Sequence, residues 1–194
     1  LNLVAHKVAP ALAAGNPVIL KPALATSVIA YKLCEILLDA GVPKGFLSYL
    51  SGSGSQIGKW LTQNPDIAFY SFTGSVPVGK QIKSEIGLRR CALELGSNSA
   101  TIVCKDYDIE AAATACVDAA FNNAGQVCIH LQRLFVEREV YERFVKRLVE
   151  LAGERVVGDP ADPATDVGPM IAESEAKRVM EWISEAQLGG ANVL

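Results

Sequence analysis

The sequence predicts an α/β protein. Short apolar runs of strand length alternate with longer stretches whose apolar residues recur at three- and four-residue spacing. Small and polar residues punctuate the changes of pattern, and half of the 194 residues are hydrophobic against a fifth charged. That balance excludes a disordered chain and lets a core form without a disulfide or metal staple. A net charge of −3 leaves no basic excess to point to nucleic acid or an acidic membrane surface. No apolar run approaches the ~20 residues that cross a bilayer.

Taken in order, residues 3–14 carry helical spacing and stop at Gly15-Asn16. Residues 18–20 form a short apolar run closed by Lys21-Pro22, and Thr26-Ser27 then offers an N-cap for a helix to about residue 40. Residues 46–50 alternate as a strand, run into Ser51-Gly52-Ser53-Gly54, and give way to a helix ending near Gln63. A strand over 67–72 follows, then the turn Thr73-Gly74-Ser75 and a helix to about Ile86. Two β-like runs, 91–95 and 100–104, stand almost adjacent and break the alternation, which places a domain boundary near Gly96. Helix resumes over 109–121, with Asp106 and Asp108 near its positive end. A loop over 122–129 leads to a strand over 131–136. The following helix, 138–152, aligns Val140, Phe144, Leu148 and Leu151, with Glu139–Arg143 and Glu142–Lys146 as expected surface pairs. A Pro/Asp-rich loop spans 158–169, and a last helix over 174–187 gathers Ala176, Val179, Ile183 and Ala186. The chain opens without Met inside a helical pattern and closes on what reads as the start of a strand, so a piece of a longer protein is expected.

Five cysteines, at 34, 91, 104, 116 and 128, show no CxxC or Cys/His ligand spacing, so neither a disulfide framework nor a metal site is expected. Free thiols without a secretory signal point to a reducing, cytoplasmic compartment. Four of the cysteines fall in helical or strand-like patterns and read as small buried hydrophobes. Cys128 differs, because it lies in the polar segment Asn122-Asn123-Ala124-Gly125-Gln126-Val127-Cys128. A loop of that kind can give a thiolate access and backbone N–H donors, and an inert thiol stands as the alternative. Glu94 interrupts an apolar run between Leu93 and Leu95. Apolar enclosure would raise its pKa toward that of a general base, whereas a wet strand face would leave it an ordinary surface acid. His6 reads as a surface or packed residue, and His130, two residues beyond Cys128, has no direction fixed by the sequence.

The strand-to-helix turns at 21–27, 52–58 and 73–75 sit where nucleotides bind at the carboxyl edge of a parallel sheet, with helix N-termini offered to phosphate. Gly52, Gly54 and Gly58 form GxGxxxG, and tight turning alone also explains such glycines.

Together, the stretches LNLVAHKVAPALAAGNPVILKPA, SFTGSVPVGKQI, LELGSNSA, NNAGQVCIHLQR and GDPADPATDVGP resemble the NAD(P)-dependent aldehyde dehydrogenase superfamily, in order and over nearly the whole chain. Glu94 and Cys128 lie 34 residues apart (128 − 94), as that family's general base and nucleophile do. The resemblance implies a Rossmann-like NAD(P)-binding domain over 1–95 and the start of an α/β catalytic domain over 96–194. It assigns Cys128 as nucleophile and Glu94 as the base that activates water. Lys21 takes the ribose-binding role, Gly52 and Gly54 the adenosine side, and Gly74 and Ser75 the pyrophosphate turn, with Leu95 and Gly96 completing the NAD or NADP contacts. The oxyanion would be held by the Cys128 N–H and by an Asn outside this chain, each such donor worth ~3–4 kcal/mol. A small-molecule aldehyde is the implied partner, and the full-length protein is expected to be a homo-dimer or homo-tetramer.

Departures from the family pattern are informative. Leu24 stands where many NAD-preferring members carry Glu, so NADP is expected to be tolerated. Ser97 and Asn98 replace a usual Gly and Lys. With Val127-Cys128-Ile129 and Gln132-Arg133, they resemble the subgroup acting on small functionalised aldehydes of lactaldehyde or phosphonoacetaldehyde type. The alternatives are a CoA-acylating relative, against which Glu94 argues, and a non-catalytic structural or binding protein on the same scaffold. The 194 residues by themselves are expected to be inactive.

Overall fold

A computed structural model describes residues 1–194. They divide into two units, Leu1–Gly96 and Ser97–Leu194. In the first, helix α1 (Asn2–Ala13) precedes strand β1 (Val18–Leu20), and helix α2 (Ser27–Asp39) crosses over to strand β2 (Leu47–Tyr49). The two strands pair in parallel, with Val18 opposite Leu47 and Leu20 opposite Tyr49. The core beneath them is Val8, Cys34 and Leu47, extended by Val4, Leu12, Val18, Leu20, Leu37, Val42 and Tyr49. α1 and α2 end alike. Gly15 (φ 74°) and Gly41 (φ 101°) take left-handed conformations. The two N–H groups beyond each helix then turn back onto its last carbonyls, Gly15 to Leu12 and Asn16 to Ala11, Gly41 to Leu38 and Val42 to Leu37. This is how the predicted stop at Gly15-Asn16 is made.

A second strand–helix–strand unit follows helix α3 (Gly54–Gln63). It consists of strand β3 (Phe69–Thr73), helix α4 (Val76–Ile86) and strand β4 (Arg90–Glu94). β3 and β4 are parallel, from Phe69 opposite Arg90 to Thr73 opposite Glu94. β3 starts two residues later than its apolar run, because the Asp66 N–H folds back onto the Asn64 side chain at 2.8 Å and holds a turn there. α4 packs close to β4 at Gly79, where a Cβ would come within 2.6 Å of the Leu95 side chain.

Arg89 ties the opposite end of this unit. Its Nε donates to the Ile86 carbonyl (3.1 Å), Nη1 to the Asn64 carbonyl (2.6 Å) and the Tyr70 hydroxyl (2.6 Å), and Nη2 to the Thr62 carbonyl. The guanidinium also lies over the Tyr70 ring at 5.1 Å. Three of these acceptors are carbonyls at the carboxyl ends of α3 and α4, which have no partner within their own helices and carry the negative end of the dipole.

In the second unit, strand β5 (Ala100–Val103), helix α5 (Ile109–Phe121) and strand β6 (Arg133–Val136) form a third parallel pair, and helices α6 (Tyr141–Gly153) and α7 (Glu173–Leu188) follow. Asp108 caps α5 by accepting from the Ala111 N–H at 3.0 Å. Val103, Ile109, Ala112, Ala113, Cys116 and Phe144 are buried together, and Val140, Leu148 and Leu151 pack on them as the helical spacing predicted.

Three expectations fail locally. α6 begins at Tyr141, not near 138, because residues 137–140 form a turn held by the Val140 N–H on the Glu137 carbonyl. Neither Glu139–Arg143 nor Glu142–Lys146 forms. Glu139 instead meets Lys105, distant in sequence, at 3.1 Å, and the ion pairs of α6 are made by Arg147, with Glu110 at 2.7 Å and Glu150 at 3.3 Å. Residues 191–194 form no strand. The chain contains no helix long and apolar enough to cross a membrane.

Replacing Arg89 with Met keeps its stem but strands the helix-end carbonyls. It should lower stability by about 2 kcal/mol, read as a reduced urea midpoint by circular dichroism at unchanged m-value.

Candidate active site

Because β1 and β2, and likewise β3 and β4, run parallel, their carboxyl ends open on the same edge of each pair. The sequence-predicted residues of the first unit all lie at such ends. Lys21 directly follows β1, half-buried, and its ammonium donates to the Pro22 carbonyl at 2.7 Å. Leu24 opens a 3-10 turn, Leu24–Thr26, and is 58% exposed. Beyond β2, Gly52 lies so close to the Ile57 side chain that a Cβ would collide with it, whereas Gly54 faces open space. Between them Ser53 caps α3, accepting from the Gln56 N–H at 3.2 Å.

At the end of β3, the Gly74 N–H donates to the Glu94 carbonyl at 3.0 Å, so the turn and the end of β4 are joined directly. A Cβ on Gly74 would stand 2.5 Å from the Phe72 ring. Ser75 precedes α4 without a side-chain cap, which leaves the first-turn amides unfilled by any side chain. The Thr73 hydroxyl oxygen is buried and has no hydrogen-bond partner. These features suit a phosphate-bearing cofactor. The helix N-terminus offers donors and positive potential, the glycines allow close approach, and the orphaned hydroxyl sits on the same edge.

Glu94 ends β4 with its side chain exposed. Of the two readings left open by the sequence, the structure shows the wet strand face and not enclosure between leucines. Leu93 and Leu95 are half-buried on the opposite face, because side chains alternate along a strand. Leu95 leans on α4 at Gly79, and Gly96 follows, where a Cβ would stand in ordinary contact with the Val76 side chain at 3.8 Å.

Cys128 belongs to the second unit and is exposed. The loop that carries it begins with three consecutive left-handed residues, Asn123 (φ 51°), Ala124 (φ 54°) and Gly125 (φ 71°). For Asn123 and Ala124, which carry a Cβ, this conformation is strained, and bonds between Asn123 and Gln126 close the turn around it. The His130 N–H donates to the Val127 carbonyl at 3.1 Å, and its Nδ1 lies against the same oxygen, so that ring nitrogen is occupied inside the loop. The Leu131 N–H then reaches the Ala119 carbonyl of α5 at 3.2 Å, which is why β6 starts later than its apolar run.

The other cysteines divide. Cys34 and Cys116 are buried, and burial pushes both thiols up. Cys91 is half-buried. Cys104 was expected to be buried but is exposed, because β5 ends at Val103 and leaves it in the following turn. His6 lies exposed on α1.

Sequence reasoning missed the orphaned Thr73 hydroxyl and the tertiary bond of Gln126, whose Oε1 accepts from the Ile171 N–H at 2.8 Å. A polar side chain between Gly125 and Cys128 was the available signal for the second.

The sequence profile of the Aldehyde dehydrogenase family matches residues 1–194. The 3-sulfolactaldehyde dehydrogenase of Priestia megaterium is 53% identical over 193 residues, covering all of this chain and 40% of its own length. A lactaldehyde dehydrogenase of Methanococcus maripaludis is 40% identical over 198 residues, covering all of this chain and 43% of its own length. Among solved structures, an NADP-dependent glyceraldehyde-3-phosphate dehydrogenase from Bacillus halodurans, complexed with NADP, superposes with a TM-score of 0.94 at 37% identity. That match covers 100% of this chain and 40% of the other. An NAD-dependent aldehyde dehydrogenase from Sinorhizobium meliloti superposes with a TM-score of 0.96 at 32% identity, covering 99% of this chain and 39% of the other. The chain thus spans about 40% of the length of the relatives it matches. Over that span its three parallel strand–helix–strand units have the fold of these enzymes, and the chain belongs to the aldehyde dehydrogenase family.

Proposed function

We propose that the protein containing this chain oxidises an aldehyde to a carboxylic acid with NAD or NADP, using Cys128 as nucleophile and Glu94 as general base. The observation that carries this reading is the exposure of Cys128 on a loop bent through three left-handed residues. Exposure of Glu94 at the end of a parallel strand beside the Gly74–Ser75 turn supports it.

The Cys128 thiolate attacks the aldehyde carbon, and its own backbone N–H faces the oxyanion that develops in the thiohemiacetal. Bound NAD or NADP supplies the hydride acceptor. Loss of hydride from the sulfur-bound carbon leaves a thioester on Cys128. Glu94 takes a proton from water, the resulting hydroxide adds to the thioester carbonyl, and collapse releases the acid and the thiolate. Lys21, Gly52, Gly54, Gly74, Ser75, Leu95 and Gly96 would hold the cofactor, and the uncapped start of α4 would offer its N–H donors and positive potential to the cofactor's phosphates. The names of the relatives at 53% and 40% identity support a small α-hydroxy aldehyde as substrate, with an anionic end group in the first case.

In the full-length enzyme, Cys128→Ala should abolish oxidation, a loss of at least about 1,000-fold. Glu94→Gln should give a rapid burst of reduced cofactor followed by slow turnover, resolved by stopped-flow absorbance. A Glu94→Gln variant that lacks the burst would place the residue before hydride transfer and remove its assigned role.

Leu24 puts an apolar, exposed side chain beside the Lys21 turn, where a carboxylate would repel a 2′-phosphate. Both cofactors should therefore support turnover in the parent enzyme. Leu24→Glu should lower kcat/KM for NADP relative to NAD by about ten-fold or more. Steady-state titration with each cofactor measures this, and absence of NADP turnover in the parent rejects the reading of Leu24.

A further inference from the structure

The loop that presents Cys128 is fastened through one side chain. The Gln126 backbone N–H donates to the Asn123 carbonyl at 3.1 Å, and its Nε2 donates to the same carbonyl at 3.2 Å. The Asn123 side-chain amide donates back to the Gln126 carbonyl at 3.4 Å. These bonds close the left-handed turn upon itself. The remaining end of the side chain does something different. Gln126 Oε1 accepts from the Ile171 N–H at 2.8 Å, a contact across 45 residues of sequence. Ile171 lies in the segment between the Val157–Val167 bridge and α7. One amide group therefore fixes the internal shape of the loop with its nitrogen and the position of the loop in the unit with its oxygen.

We infer that Gln126 is a positioning residue for the reaction at Cys128, setting where the thiol sulfur and the Cys128 N–H stand relative to the aldehyde carbonyl. This rests on the proposal that Cys128 is the nucleophile. A nucleophile and an oxyanion donor on the same residue move together when their loop shifts, so a small displacement degrades attack and oxyanion stabilisation at once. Gln126 reaches neither substrate nor cofactor in this role. Its effect belongs in kcat, not in cofactor binding by the first unit.

The test uses the full-length enzyme with Gln126→Met, which matches the side chain in length but has no polar end, and Gln126→Glu, which keeps an oxygen for the Ile171 N–H. Gln126→Met should lower kcat by about ten- to a hundred-fold with cofactor KM within about two-fold of the parent. Iodoacetamide should still alkylate Cys128, followed by peptide mass spectrometry, since the thiol remains exposed. Gln126→Glu keeps the bond from the Ile171 N–H but not the side-chain bond to the Asn123 carbonyl, and it should recover part of the lost kcat. Parent-like kcat in Gln126→Met overturns the inference. So does a parallel loss of kcat, cofactor affinity and melting temperature, which marks a general structural role. Oxidation that survives Cys128→Ala is a separate result, and it removes the nucleophile assignment on which the inference rests.

Discussion

Parallel strand pairing is the constraint on which the rest of the structure depends. Two parallel strands cannot be joined by a tight turn, so each pair here is bridged by a helix: α2 for β1–β2, α4 for β3–β4 and α5 for β5–β6. Each crossover returns the chain to the same starting edge. The carboxyl ends of both strands then open together, and each strand-to-helix turn lies beside the end of the neighbouring strand. The bond from the Gly74 N–H to the Glu94 carbonyl is this constraint in one contact, joining a turn suited to phosphate to the strand end that carries a carboxylate.

The carboxyl edge of β3–β4 is less internally satisfied than the end opposite it. At the far side of β3–β4, Arg89 fills helix-end carbonyls and braces Tyr70. Nearby, hydrogen bonds from Thr62 and Gln81 hold the Glu85 carboxyl below the usual range. At the carboxyl edge, α4 begins without a side-chain cap and the Thr73 hydroxyl is buried without a partner. Polar groups in such positions are ordinarily satisfied, so an uncapped helix start beside an orphaned hydroxyl suits an anionic ligand. In the second unit, Asn123 and Ala124 hold left-handed conformations, and Gln126 closes that turn with its amide nitrogen while its oxygen accepts from the Ile171 N–H.

Most of the fold was legible because its signals are local. Apolar spacing located α5 and the Phe144 face of α6, glycine after the last apolar turn located the ends of α1 and α2, and short apolar runs located the strands. The errors share one cause. β3 and β6 start later than their apolar runs because side-chain and loop hydrogen bonds claim the first residues. Of the surface pairs expected on α6, Glu139–Arg143 gave way to Lys105, a partner distant in sequence.

What the sequence by itself determined was the α/β class and the order of elements, which follow from side-chain chemistry and from periodicities that each residue expresses among its near neighbours. Cys128 and Glu94 stand out as candidates by their local settings, and it is the family resemblance that pairs them. Only the tertiary structure decided that Glu94 stands on the exposed face of β4, that Cys104 lies outside its strand, and that Gln126 holds Ile171. Each of these depends on which distant backbone or side-chain group meets a residue once the chain has packed, and local spacing carries no record of that meeting.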